Sequence, residues 1–293
     1  MKKRKILLGI LCLAVLGVGY SYRNSRNAAR DVEAPVITAE SDKLEVKIDA
    51  TDEQLLEGLS AVDNVDGDLT NQIIIEKIEK DTRGKKNQFK ITYVCFDSSE
   101  NIGRLTRTLV YKNYVRPRFA MSSDLRFPLN SNINLLDYIT ANDSLDGDIS
   151  PFITLDGSKD IGRTSAAGKY MFNISVTNSV GDTSTLPIQV ELYENSYEEQ
   201  LYRPKICLKQ YIAYVDKGKE FKPEVYIDYV DYADTDDNQT ETPSPAAKKI
   251  PLSKIEIQSG VNTDRPGIYN VVYKYVSSEN GYDCTTRLIV VVE

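Results

Sequence analysis

Ala61-Val62-Asp63-Asn64-Val65-Asp66-Gly67-Asp68-Leu69-Thr70 returns 80 residues later as Ala141-Asn142-Asp143-Ser144-Leu145-Asp146-Gly147-Asp148-Ile149-Ser150. Five of the ten positions are identical, and three more exchange one apolar or hydroxyl residue for another. A match of this length at a fixed shift marks an internal-repeat array, in which each repeat is one supersecondary unit. A weaker third copy keeps the D-x-x-D-x-D spacing at Asp231, Asp234 and Asp236, with Thr235 in place of the glycine.

The surroundings of the string repeat with it. Pro35, Pro117 and Pro204 each open an extended segment, 82 and 87 residues apart. Proline lacks a ladder donor, so it belongs at a strand start or on an edge. Later in each repeat apolar residues alternate with others: Phe89, Ile91, Tyr93 and Cys95; Tyr170, Phe172, Ile174 and Val176; Tyr269, Val271, Tyr273 and Tyr275. Period two with β-branched and aromatic residues predicts a half-buried strand. A polar turn and a closing strand follow in each case, at Leu105–Tyr111, Thr185–Leu192 and Thr285–Val292. Gly168-Lys169-Tyr170 and Gly267-Ile268-Tyr269 put a tyrosine at the start of the penultimate strand. That is the place of the tyrosine corner in immunoglobulin-type sandwiches. Phe89 takes it in the first repeat and has no hydroxyl to offer.

With these motifs the chain resembles bacterial immunoglobulin-like repeats, the Ig-like domain of the pesticidal crystal toxin type, which also occurs in bacterial surface proteins. The resemblance covers roughly residues 34–293. It implies antiparallel sandwiches that serve as spacers or binding modules, and it implies no catalytic activity. The expected fold class is all-β, with three tandem Ig-like antiparallel β-sandwiches after one N-terminal hydrophobic helix. The expected domains are residues 34–113, 114–195 and 196–293, the last with an inserted loop at 231–250; residues 23–33 form a linker.

Residues 1–22 read as a separate object. Lys2, Lys3, Arg4 and Lys5 precede an apolar run from Ile6 to Tyr20. This is the layout of an export signal. The run is short for a bilayer span, which needs about 20 residues, and no Ala-x-Ala cleavage site follows it. Both an uncleaved signal-anchor and a cleaved signal peptide stay open. The expected location is the cell membrane, single-pass with the N-terminus inside; the alternative is secretion after cleavage. The net charge is −7 and residues 1–30 contribute +7, so residues 31–293 carry −14. An acidic body is a poor nucleic-acid binder, since phosphate contacts need Lys and Arg clusters. The chain contains no histidine, which rules out a Ser-His-Asp or Cys-His centre within it.

Asp63, Asp66 and Asp68, with Asp143, Asp146 and Asp148, are candidate Ca2+ ligands, because Ca2+ gathers six to eight oxygens in flexible geometry. The competing reading is a tight turn, with Gly67 and Gly147 left-handed and the carboxylates capping nearby amides. The run Asp228–Glu241 carries six acidic residues and no base; a solvated loop is the commoner use of such a run than a cation or basic-partner site. Cys207 and Cys284 lie on strands that are neighbours in Ig-type sandwiches, so a disulfide and two reduced thiols are both open. Cys95 is expected to be a packed core thiol. Tyrosines crowd the third repeat (Tyr211, Tyr214, Tyr226, Tyr229, Tyr232, Tyr273, Tyr275 and Tyr282), as a ligand surface or simply as strand formers. No carboxylate pair is marked out for glycoside hydrolysis. The function expected is a non-enzymatic exported surface protein, a multi-domain stalk, adhesion or protein-interaction module of the bacterial cell envelope. The alternative is a carbohydrate-binding or accessory subunit for an envelope enzyme or polysaccharide system. The expected partner is accordingly a protein or an envelope polysaccharide.

Overall fold

The computed structural model describes residues 31–84, 87–156, 166–194, 196, 202–231, 251–278 and 281–293. The chain forms two compact units, one up to Tyr114 and one from Val115 onward. Residues 1–22, and with them the expected hydrophobic helix, lie outside the described residues. The single-pass membrane location is corrected: among the described residues no helix is long and apolar enough to cross a membrane.

In the first unit the strands are β1 (Val36–Ala39), β2 (Lys43–Val46), β3 (Leu59–Asp63), β4 (Gly67–Asp68), β5 (Ile74–Lys80), β6 (Gln88–Phe96) and β7 (Ile102–Tyr111), with a single helical turn α1 (Asp52–Leu55) after β2. They form two sheets, β1-β3-β4 and β2-β7-β6-β5. The opening strand is thus split between sheets: β1 runs antiparallel to β3, while β2 runs parallel to β7. The sheets are therefore mixed rather than purely antiparallel, because a strand that crosses from one layer to the other must meet the last strand in the same direction. On β6, Phe89, Ile91, Tyr93 and Cys95 are fully buried. The expected alternation is blurred there, since Thr92 and Val94 are buried too.

A buried cation fixes α1. Arg107 on β7 donates to the Leu55 and Glu57 carbonyls at 2.9 and 3.1 Å, and to the Tyr93 hydroxyl at 2.9 Å. Tyr93 donates in turn to the Leu55 carbonyl at 2.7 Å. Carbonyls left open at a helix end favour such cationic donors. Gly103 on β7 is needed for a different reason: a Cβ there would collide with the Pro35 carbonyl.

The second unit repeats this pair of sheets twice. The first set is β8 (Arg118–Met121), β9 (Arg126–Pro128), β10 (Ile139–Asp143), β11 (Gly147–Asp148), β12 (Thr154–Asp156), β13 (Gly168–Thr177) and β14 (Thr183–Tyr193). Its sheets are β8-β10-β11 and β9-β14-β13-β12. The second set is β15 (Lys205–Leu208), β16 (Ile212–Val215), β17 (Ile227–Asp231), β18 (Glu256–Ser259), β19 (Gly267–Val276) and β20 (Asp283–Val292). Its sheets are β15-β17 and β16-β20-β19-β18. Again β9 runs parallel to β14, and β16 parallel to β20. The tyrosine corners form as expected: Tyr170 donates to the Ala166 carbonyl and Tyr269 to the Arg265 carbonyl, each at 2.9 Å. Phe89 instead packs edge-on against Tyr111 and Tyr114, with ring centroids 5.4 and 4.9 Å away.

Within this unit the two sheet pairs share a packed joint. Ile212 on β16 and Ile289 on β20 belong to the apolar cluster built by β8–β14. The Phe119 amide donates to the Tyr214 hydroxyl at 2.7 Å, and the Arg118 guanidinium lies 4.8 Å from the Tyr214 ring centre. Arg118 also pairs with Glu293, and Arg287 donates to Gln189.

Candidate metal centre

The Asp-Gly-Asp string is a hairpin: β3 pairs with β4, with Asp63 opposite Gly67, and β10 pairs with β11, with Asp143 opposite Gly147. Gly67 and Gly147 have φ of 74° and 70°, the left-handed turn that only glycine takes without strain. The first aspartate caps the turn. Asp63 Oδ1 accepts the Val65 and Asp66 amides at 2.9 and 2.8 Å, and Asp143 Oδ1 accepts those of Leu145 and Asp146 at 2.8 and 3.1 Å. The second aspartate reaches the loop after the penultimate strand: Asp66 accepts the Ser98 amide at 2.7 Å and Asp146 the Ser179 amide at 2.6 Å. The third caps the turn that follows, with Asp68 accepting the Thr70 amide at 2.9 Å and Asp148 the Ser150 amide at 3.0 Å. The Thr70 and Ser150 hydroxyls, and then those amides, hold the Asp68 and Asp148 carboxyls below the usual carboxylate range. The string closes on itself, because the Ala61 and Ala141 amides donate to the same hydroxyls at 3.1 and 2.9 Å.

The six candidate ligands therefore do not converge as two sets of three. Successive residues of a tight turn point in different directions, and each finds its own amide. A different set meets in the first unit. Asp31, Asp63 and Asp97 each bring one carboxylate oxygen to within 4.8 Å of the others. Asp31 precedes β1, Asp63 ends β3 and Asp97 follows β6, so three separated segments supply them. Asp63 is only 5% exposed and Asp97 only 8%. Unit charges this close repel by about 3 kcal/mol per pair at an effective dielectric constant of about 20.

Hydrogen bonds account for part of this set. Asp97 accepts the Ser99 and Asn101 amides on Oδ1, at 2.9 and 2.7 Å, and the Asn101 side chain on Oδ2 at 2.6 Å. Burial works against ionisation of Asp97, but these donors outweigh it and hold its carboxyl below the usual range. The same Asn101 amide group donates to the Asp31 carbonyl at 3.2 Å. Asp31 Oδ1 accepts the Glu33 amide at 3.1 Å. Asp31 Oδ2 and Asp63 Oδ2 are buried with no hydrogen-bond partner among the described residues. Below the set, the Cys95 thiol is directed at the Leu69 carbonyl, 3.7 Å away, and burial pushes its pKa up.

The second copy of the string shows how such a place is neutralised. Asn178 stands where Asp97 stands and donates to Asp143 Oδ2 at 3.2 Å. Asp182, where the first copy has Asn101, accepts from Arg116 at 3.4 Å. In the third copy Asp234 and Asp236 lie outside the described residues, as does most of the acidic run Asp228–Glu241.

Other expectations resolve around this centre. Among the described residues Cys95, Cys207 and Cys284 form no disulfide, so the bridge between Cys207 and Cys284 is absent. Neighbouring backbones on β15 and β20 do not by themselves bring two sulfurs together, and Cys284 is buried in the core with its pKa pushed up to about 11 by that burial. The tyrosines of the third repeat serve mainly as core: Tyr211, Tyr273 and Tyr275 are buried. Tyr273 donates to the Pro223 carbonyl at 2.8 Å. Tyr229 is exposed, and Tyr232 lies outside the described residues. A cavity of about 100 Å³ sits at the joint of the second unit, lined among others by Met121, Asp124, Arg126, Gln189 and Arg287. Burial raises the Asp124 carboxyl, opposed by Lys205 and Arg126.

The fold defines an all-β protein of the broad immunoglobulin-like kind. No family model matches the chain, so the narrower crystal-toxin family stays a resemblance. An uncharacterized 81.3 kDa protein of Acholeplasma phage L2 is 26% identical over 167 residues, covering 55% of this chain and 22% of that protein. The chain thus spans about a fifth of that relative's length. Among solved structures, Drosophila N-cadherin EC1-3 aligns over 86% of this chain and 97% of that one at 11% identity, with a TM-score of 0.29. The M60 catalytic domain with the CBM51-1 and CBM51-2 domains of Clostridium perfringens ZmpB aligns over 88% of this chain and 30% of that one at 11% identity, with a TM-score of 0.23. Likenesses this weak add nothing to the sheet topology.

Proposed function

We propose that the protein is a non-enzymatic stalk of three tandem Ig-like sandwiches, an adhesion or protein-interaction module of the bacterial cell envelope. The observation that carries this reading is the packed joint of residues 115–293. A spacer must keep its modules from folding back on each other, and interfaces between modules are mobile unless they are packed. Here Ile212 and Ile289 enter the neighbouring apolar cluster, and Tyr214, Arg118 and Glu293 lock the strands across it. The absence of histidine from the whole sequence agrees with a role that needs no general base. Carbohydrate binding stands second: one joint cavity has cationic and amide donors but no aromatic ring in its lining on which a sugar face would stack, and another, of about 270 Å³, is lined by Phe119 and Tyr214, whose hydroxyl is already taken by the Phe119 amide.

Backbone 15N relaxation on the full chain tests the stalk. Both sheet pairs of residues 115–293 are expected to share one rotational correlation time, and Arg118→Ala with Tyr214→Phe to separate them. Two distinct correlation times in the unaltered protein would remove the basis for the reading.

A further inference from the structure

We propose that Asp31, Asp63 and Asp97 form a Ca2+ site in the first unit, which shares only Asp63 with the string that suggested one and is independent of the stalk reading. Three observations converge on it. The three carboxylates meet within 4.8 Å. Oxygens around one Ca2+ at 2.3–2.6 Å lie no more than about 5 Å apart, so this set closes on the ion as it stands. Hard oxygen donors without imidazole suit Ca2+, Mg2+ or Mn2+ rather than Zn2+ or copper.

The second observation is the pair of orphan oxygens. Asp63 is 5% exposed, its Oδ1 is occupied by two amides and its Oδ2 is buried with no partner among the described residues. Asp31 has the same division, with Oδ1 bonded and Oδ2 buried and unpartnered. A buried carboxylate oxygen without a donor is costly unless a cation supplies the missing contact.

The third is the comparison inside the chain. At the matching place of the second copy the fold installs the Asn178 amide against Asp143 and brings Arg116 to Asp182. The first copy carries Asp97 instead, and no ion pair to Asp31, Asp63 or Asp97 occurs among the described residues. One copy neutralises its acid from within; the other leaves it for an ion. Bound Ca2+ would tie the segment before β1 to the turns after β3 and β6.

The test is calorimetric titration of Ca2+ into the full chain, with melting in excess Ca2+ against chelator. The expected result is one saturable site, in the 10⁻⁴–10⁻³ M range common to extracellular modules, and a higher melting temperature with Ca2+. Asp31→Asn and Asp97→Asn should each weaken binding by at least about tenfold, since ligand charge sets affinity. Asp97→Asn copies the residue that the second copy tolerates, so its fold is expected to survive. Asp68→Asn should keep the Ca2+ response, because Asp68 only caps Thr70. Identical titrations and melts with Ca2+ and chelator, a response lost in Asp68→Asn but kept in Asp31→Asn, or a response to Mg2+ alone would each overturn the proposal.

Discussion

Asn178 Nδ2 donates to Asp143 Oδ2 at 3.2 Å, in the very place where the first copy sets Asp97 beside Asp63. The two copies share backbone and turn yet exchange an acid and an amide: Asp97 and Asn101 of the first are Asn178 and Asp182 in the second. Asn178→Asp is therefore expected to replace a donor by a second carboxylate against Asp143. The lost hydrogen bond to a charged group alone is worth about 1.5–3 kcal/mol. Urea unfolding at neutral pH should show a loss of that order or more, and an unchanged midpoint would contradict the pairing.

The tyrosine corners make a smaller claim. Tyr170→Phe and Tyr269→Phe each remove one hydroxyl-to-carbonyl bond of 2.9 Å and leave the ring in place. Each should cost about 1 kcal/mol, read from the shift of the denaturant midpoint at constant slope. The first copy already carries Phe89 at this position and replaces the bond with ring packing.

Gly103→Ala tests the close approach of β7 to the segment before β1. The added methyl meets the Pro35 carbonyl, which is backbone and yields only if the opening strand moves. Overpacking of this kind costs about 1–3 kcal/mol. Amide exchange should rise in β1 in particular; unchanged protection at Ile37 and Thr38 would show that the strand has room.

Alkaline pH should weaken the core that holds Cys284 and Tyr211. Burial pushes Cys284 from 9.0 to about 11 and Tyr211 from 10.0 to about 12. A raised pKa means that the unfolded chain releases its proton first. The stability is therefore complete below about pH 9 and falls as pH rises toward 11 and 12. Melting temperature measured between pH 8 and pH 11 should decline, and Cys284→Ser should flatten the first part of that decline. A flat profile in the unaltered protein would place these groups in water.

The repeats, the sheet-forming segments and the tyrosine corners were legible along the chain because each is a local pattern. Alternation marks a strand wherever one face is buried, glycine marks a left-handed turn, and a recurring string marks a recurring unit. The parallel pairing of β2 with β7 was not legible, since no local pattern records a strand that changes sheets. Nor was the acidic centre. The string drew attention to Asp63, but also to five other aspartates, of which Asp66, Asp68, Asp146 and Asp148 accept amides close by and Asp143 is met by Asn178.

Sequence by itself determined the class of fold and the place of every Asp-Gly-Asp turn, because those depend on residues a few positions apart. Only the tertiary structure decided which carboxylates share a site. Asp31, Asp63 and Asp97 are separated by more than 30 residues at each step, and nothing but the packing of two sheets brings three such chain segments to one point. The same packing decides what each copy does with its charge: an amide answers Asp143, while Asp63 keeps an open oxygen.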